Sequence, residues 1–241
     1  MSKILFYKMT SDSGFAPNPF WGYLTLATCT PNHMRANLEK GDWIVGVESK
    51  TLAKYRIKAG IKPNIKLSII YIAKLTENPM TLTEYFIDKR FEKKKYSEKN
   101  WKTKNGDNVY FCENGTWKWL KKHVHDKGQN FFNKNDFSSL WSNYKNTEKK
   151  SLYQDIKGNK VFVSKEFTYF GDKCIPIPKE FLPWIPNRGI KYCYSNNPES
   201  RKLLTILNTL MKQYGFGQIG NPTYNKIKKF YELQKNVRNK E

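Results

Sequence analysis

The sequence predicts an α+β protein. Short runs of strand-forming residues recur along it, at Ile4-Leu5-Phe6-Tyr7, at Trp43-Ile44-Val45-Gly46-Val47 and across residues 66–75, while residues 82–91 and 200–214 carry helical apolar spacing. With 39% hydrophobic and 15% aromatic residues among 241, the chain can build a core, which disordered basic tails cannot. It shows no internal repeat and no linker that divides it clearly. One domain over residues 1–241 is therefore expected, with a sub-boundary near residue 153 left open.

Residues 3–9 read as a short buried strand. The following Ser11-Asp12-Ser13-Gly14-Phe15-Ala16-Pro17-Asn18-Pro19 holds two prolines, a glycine and several short polar side chains, so it forms an irregular loop. Residues 25–30 return to strand character, and Pro31 suits the first turn of a short helix through Leu38. Lys40-Gly41-Asp42 turns the chain into a strand at residues 43–47, in which Gly46 signals a bulge or a close backbone approach. Residues 66–75 form the clearest strand, and beyond Pro79 a helix over 82–91 is capped by Thr81 or Thr83 with Glu84 nearby.

In the middle of the chain, Asn114-Gly115 between two strand-like runs is the strongest local hairpin signal. Asp136 is placed to cap a short helix over 137–144. Residues 160–163 and 167–170 read as strands, and Ile175-Pro176-Ile177-Pro178 as an extended edge. Residues 200–214 form an amphipathic helix, with Leu203, Leu204, Ile206, Leu207, Leu210 and Met211 facing inward and Gly215 as its stop.

The formal charge is +22, from 43 Lys+Arg against 21 Asp+Glu, which excludes an acidic scaffold. Nearly all of the excess is lysine, and the chain is also heavy in Asn, Ile and Tyr, as an A+T-rich genome encodes whatever the function. Local concentration says more than the total. Residues 89–104 carry eight Lys/Arg against Glu92 and Glu98, and the stretch after Thr223 is basic as well. Such surfaces favour DNA or RNA through phosphate neutralisation and counterion release. Lys93, Lys94 and Lys95 are the candidate phosphate contacts, unless they form an ordinary solvated face.

No window approaches the roughly 18 apolar residues that span a bilayer, and the start is too short for a signal sequence, so a cytoplasmic protein without membrane contact is expected. Cys29, Cys112, Cys174 and Cys193 are dispersed, with no C-x-x-C pair, and read as free thiols. A zinc site would have to recruit His123 and His125 from elsewhere, so neither metal nor cofactor is expected. The familiar catalytic signatures are missing. Gly215-Phe216-Gly217-Gln218-Ile219-Gly220 matches G-x-G-x-x-G literally, but it follows a helix rather than a strand and reads as a helix stop and turn.

The loop holding Asp12, Ser13, Gly14 and Asn18 combines a carboxylate, hydroxyls, an amide and exposed backbone beside a buried strand. It can hold a base edge or a phosphate, or its polar groups can satisfy its own amides as Asx turns do. Trp43 is either core or one wall of a base-stacking pocket. Trp117 and Trp119 share one face of the hairpin strand, as a core stripe or a stacking surface.

These strings carry a resemblance. Asp12-Ser13-Gly14-Phe15-Ala16-Pro17-Asn18-Pro19, with Thr25-Leu26-Ala27-Thr28-Cys29 and Gly41-Asp42-Trp43-Ile44-Val45-Gly46 after it, resembles the second family of nucleotide modification associated domains. Tyr169-Phe170-Gly171-Asp172 and Ile175-Pro176-Ile177-Pro178 look similar to its later part. That family occurs in bacteria and phages beside DNA base modification and defence genes. Element order and Gly41-Asp42 also resemble the PUA-like group, including EVE and ASCH domains, which implies a partly open β-barrel with helical decorations and an aromatic-lined base pocket.

The resemblance implies a role in DNA base modification or in recognising modified bases, with DNA or a nucleotide as partner. Asp12, Ser13, Gly14, Asn18 and Trp43 would line the pocket, and Lys93, Lys94 and Lys95 would hold phosphate. One alternative is an enzyme modifying a nucleotide or nucleobase, with Asp12 as general base or Cys29 as nucleophile. The other is a protein-interaction module of a defence system.

Overall fold

The computed structural model describes residues 2–27, 36–63, 66–120, 131–133, 156 and 158–238. Its first half runs β1 (Ile4–Met9), β2 (Leu24–Leu26), β3 (Trp43–Glu48), α1 (Lys50–Lys58), β4 (Ser68–Lys74), α2 (Leu82–Ile87) and a 3-10 stretch, Lys89–Lys94. A hairpin sheet of β5 (Tyr110–Glu113), β6 (Thr116–Trp119) and β7 (Phe131–Asn133) follows. The chain continues through β8 (Phe162–Ser164), β9 (Glu166–Tyr169), β10 (Ile175–Pro176), β11 (Ile190–Cys193), α3 (Glu199–Tyr214), β12 (Gly217–Gln218) and α4 (Tyr224–Arg238). Cys29, most of the helix expected from Pro31, His123, His125, the helix expected over 137–144 and the sub-boundary near 153 lie outside the described residues.

The central sheet is mixed and seven-stranded, in the order β11-β1-β3-β4-β9-β12, with β10 also on β4. β1 and β3 lie parallel, Ile4 opposite Trp43 and Met9 opposite Glu48; β11 is antiparallel to β1, β4 is antiparallel to β3 and β9, and β12 is parallel to β9. β4 is central, as its unbroken apolar run predicts: such a strand has to be covered on both faces. β9 and β10 share one edge of β4, and the chain leaves that edge between them through Gly171 and Asp172. The α+β class is as expected. The sheet ends on β11 and β12, and among the described residues it does not close into a barrel.

Period-two alternation explains why both faces are covered. Ile4, Phe6, Trp43, Val45 and Val47 face Leu203, Leu207 and Met211 of α3, together with Phe181. Leu5, Tyr7, Met9 and Ile44 face the opposite way, into a core shared with Leu52 of α1, Phe162, Phe167 and Tyr169. A third cluster joins Leu82 and Tyr85 of α2 to Trp117 and Trp119 of β6 and to Val161 and Val163, which makes the two tryptophans a core stripe.

Local signals work where they are strong. Gly46 marks a register shift between β3 and β4, and a Cβ there would lie 2.3 Å from the Tyr71 ring, so both the bulge and the close approach are present. Asn114 and Gly115 both take positive φ, 48° and 75°, as a two-residue hairpin turn requires. Thr81 and Glu84 form a capping box on α2. That helix stops at Ile87 rather than at 91, because Asp88 turns extended (ψ 115°) and its carboxylate caps the 3-10 stretch through the Arg90 N–H. Gly215 ends α3, as expected of the literal G-x-G-x-x-G string.

Candidate functional site

The two ends of the Asp12 loop are pinned to two separate buried polar clusters. At one end Asp12 accepts bonds from the Tyr169 hydroxyl, from the Thr223 N–H (3.0 Å) and from the Thr223 hydroxyl (2.8 Å). Its carbonyl accepts from the Tyr224 N–H at 2.9 Å. Asp12 thus anchors the start of α4, where a carboxylate complements the free N–H groups and the helix dipole. Burial raises the Asp12 pKa, against the opposing pull of Tyr169, Arg56 and Thr223. With its oxygens engaged in this way, Asp12 serves as an anchor.

At the other end Asn18 accepts from the Phe20 N–H (3.2 Å), an Asx turn, and donates to the Asn105 carbonyl (2.9 Å). Ser13 accepts from the Phe15 N–H at 3.2 Å, and Gly14 lies where a Cβ would come within 2.7 Å of Pro222. The loop's polar groups therefore mostly satisfy its own backbone and fix its neighbours. Asp12 and Asn18 do not meet.

The expected phosphate lysines divide. Lys94 is 1% exposed, and its Nζ donates to the Asn18 carbonyl (3.0 Å), Asn18 Oδ1 (2.7 Å) and the Tyr23 carbonyl (2.9 Å). Facing it, Asp107 accepts from Thr25 (2.7 Å) and Tyr85 (2.8 Å). Burial pulls the Lys94 pKa down to about 7, against the attraction of Asp107. Lys94 thus clamps the loop and leaves no hydrogen for a phosphate. A 3-10 stretch turns successive side chains to different sides, which leaves Lys93 and Lys95 on the surface.

Trp43 does not join the loop. It is 3% exposed, at the first position of β3, on the sheet face covered by α3. Asp12 follows the far end of the parallel strand β1, and five residues of strand separate the two levels by roughly 16 Å. Its place just after the Gly41-Asp42 turn made it a candidate pocket wall in the sequence, but the alternation of β3 sends its ring into the core.

What does gather beside the loop is a cleft of about 780 Å³ lined by Trp21, Lys93, Lys95, Tyr96, Lys99, Trp101 and Lys102, among others. Phe20 is buried and meets both tryptophans edge to face, Trp21 at 5.5 Å and Trp101 at 5.3 Å between centroids. Trp101 is 41% exposed. Trp21 (φ 58°) and Gly22 (φ 79°) form the turn beyond the antiparallel Asn18–Thr25 bridge, a left-handed conformation that for a bulky residue costs of order 1–3 kcal/mol. Lys102 lies 5.9 Å from the Trp101 ring and Lys94 5.9 Å from that of Trp21. Lys95 pairs with Glu92 at 2.6 Å, whereas Lys93, Lys99 and Lys102 have no ion pair among the described residues.

Sequence reading missed Trp21, Trp101, Lys99 and Lys102 as one site. The signals were present: Phe20-Trp21 directly follows the D-S-G-F-A-P-N-P string, and Trp101 sits inside the basic run of residues 89–104. Contacts made across the fold, the Asn18–Lys94 clamp and the Phe20–Trp101 ring pair, bring the two segments together.

Residues 1–229 match the model of the family described as nucleotide modification associated domain 2. The chain belongs to this family. Comparison with curated proteins and with solved structures finds no match. The domain therefore has a nucleotide-modification-associated role. Among the described residues, no helix is long and apolar enough to cross a membrane.

Proposed function

We propose that this nucleotide modification associated domain binds nucleic acid in the cleft between Trp21 and Trp101, in the setting of DNA base modification or of reading modified bases. The observation that carries the reading is one buried phenylalanine bracing two tryptophans beside Lys93, Lys99 and Lys102, which have no ion pair among the described residues. Unpaired bases stack on aromatic rings for about 1–3 kcal/mol each, and lysines neutralise phosphate without reading sequence. Lys93, Lys99 and Lys102 position the backbone, and Trp21 and Trp101 take a splayed or flipped base. Extruding a base from a duplex costs a few kcal/mol, so single-stranded or already weakened sites bind best.

Intrinsic tryptophan fluorescence tests the reading directly. Titration with a single-stranded oligonucleotide should quench the wild-type signal saturably, and Trp101→Ala should lose most of the quench and weaken binding. An unchanged affinity in Trp101→Ala would remove the cleft from the proposal.

A further inference from the structure

A second recess lies beside Asp12 and shares no residue with the lysine–tryptophan cleft. It measures about 380 Å³, within the range of small-ligand pockets, and its lining is mostly apolar: Leu52, Tyr55, Tyr224 and Tyr231, with Ser11 and Asp12 among the polar positions. Tyr55 and Tyr231 stand at 88° to one another, 5.7 Å between centroids, which fixes two walls of the recess. Across Tyr55 is an adjoining cleft of about 450 Å³ lined by Lys50, Thr51, Lys54, Tyr55 and Lys58. The Tyr55 ring thus separates an aromatic recess from a group of ammonium ions.

Lys50, Lys54 and Lys58 repeat every fourth residue, so they share one face of α1. Like charges at this spacing disfavour a helix by a few tenths of a kcal/mol per pair, α1 contains no acidic residue, and none of the three lysines has an ion pair among the described residues. The helix is held rigidly all the same. Ser49 caps it through the Leu52 N–H (3.1 Å), and the buried Arg56 ties it to Glu48 (3.2 Å) and to the Gly171 carbonyl. Both clefts lie where β1 and β3 end side by side in parallel, the position at which open sheets receive ligands.

We infer that this composite recess binds a nucleoside 5′-monophosphate, with the base between Tyr55, Tyr224 and Tyr231 and the phosphate on Lys50, Lys54 and Lys58. The aromatic walls recognise a flat heterocycle, and the three lysines supply the charge complement of a dianion. The site is independent of the polymer cleft and can be tested apart from it.

Calorimetric titration of the full chain with the deoxynucleoside 5′-monophosphates, the matching nucleosides and inorganic phosphate decides the matter. At least one monophosphate should bind saturably, with its nucleoside and inorganic phosphate each weaker by about tenfold or more. Tyr55→Ala and Lys54→Ala should each weaken the monophosphate by about tenfold, and Trp101→Ala should leave it unchanged. Thermal melts confirm that the variants fold, and the exposed Lys54→Glu serves if Tyr55→Ala does not. Absence of saturable binding overturns the inference. So does inorganic phosphate binding as tightly as the nucleotide, or a loss of binding in Trp101→Ala with none in Tyr55→Ala.

Discussion

Phe20 meets Trp101 edge to face, with ring centroids 5.3 Å apart and planes at 87°. One ring directly follows the D-S-G-F-A-P-N-P string and is buried; the other belongs to the basic segment and is 41% exposed. The contact links a loop pinned by Asp12 and Asn18 to distant parts of the fold with a surface that can meet a ligand.

The two rings should separate stability from binding. Phe20→Ala removes a buried ring and should cost about 3–5 kcal/mol in denaturant unfolding, as large-to-small core changes do. Trp101→Ala should leave the unfolding midpoint almost unchanged while weakening a single-stranded oligonucleotide by about 1–3 kcal/mol. Equal destabilisation by both would make Trp101 part of the core.

The lysines of the cleft should register in the salt dependence. Lys93→Ala and Lys99→Ala should each lower the slope of log affinity against log salt by about 1, with the loss uniform across sequences. Slopes identical to wild type would place the phosphates elsewhere.

Lys94 should show itself in pH dependence instead. Its pKa is about 7 in the fold against 10.5 for an exposed lysine, so between those values the unfolded chain holds a proton that the folded chain has released. The stability this group contributes is full above the higher value and is lost as pH falls towards the lower, with a slope of at most about 1.4 kcal/mol per pH unit. Urea melts at pH 7, 8 and 9 should show the gap between wild type and Lys94→Met widening with pH. A gap that stays constant would mean Lys94 remains charged inside.

Trp43→Ala should act on the fold. A ring 3% exposed and packed beneath α3 should cost about 3–5 kcal/mol, with oligonucleotide affinity retained by whatever fraction stays folded. A stable Trp43→Ala protein that fails to bind would return this residue to the site.

Where a signal is local, the sequence announces the structure. The strands of the central sheet at residues 4–9, 43–48 and 68–74, the Asn114-Gly115 hairpin, the Thr81 capping box and the helix ended by Gly215 all follow from short-range propensity. Two helices were hidden. α1 has few apolar residues, and its buried Arg56 owes its place to Glu48 and Gly171, partners no local pattern announces. α4 reads as a basic tail until Asp12, more than two hundred positions earlier, is seen to hold its first turn. The candidate site divides the same way. Its loop and its basic run were both legible, but Lys94 points inward and Trp101 outward because of contacts made across the fold.

The most direct measurement is fluorescence anisotropy of matched plain and base-modified single-stranded oligonucleotides across a salt series, with wild type and the Trp21→Ala/Trp101→Ala double variant. The expected result is wild-type binding that falls with salt but keeps a residual component, stronger for the modified base, which the double variant loses. Wild type and double variant binding alike at every salt concentration would contradict the stacking cleft and leave only the attraction of lysines for a polyanion.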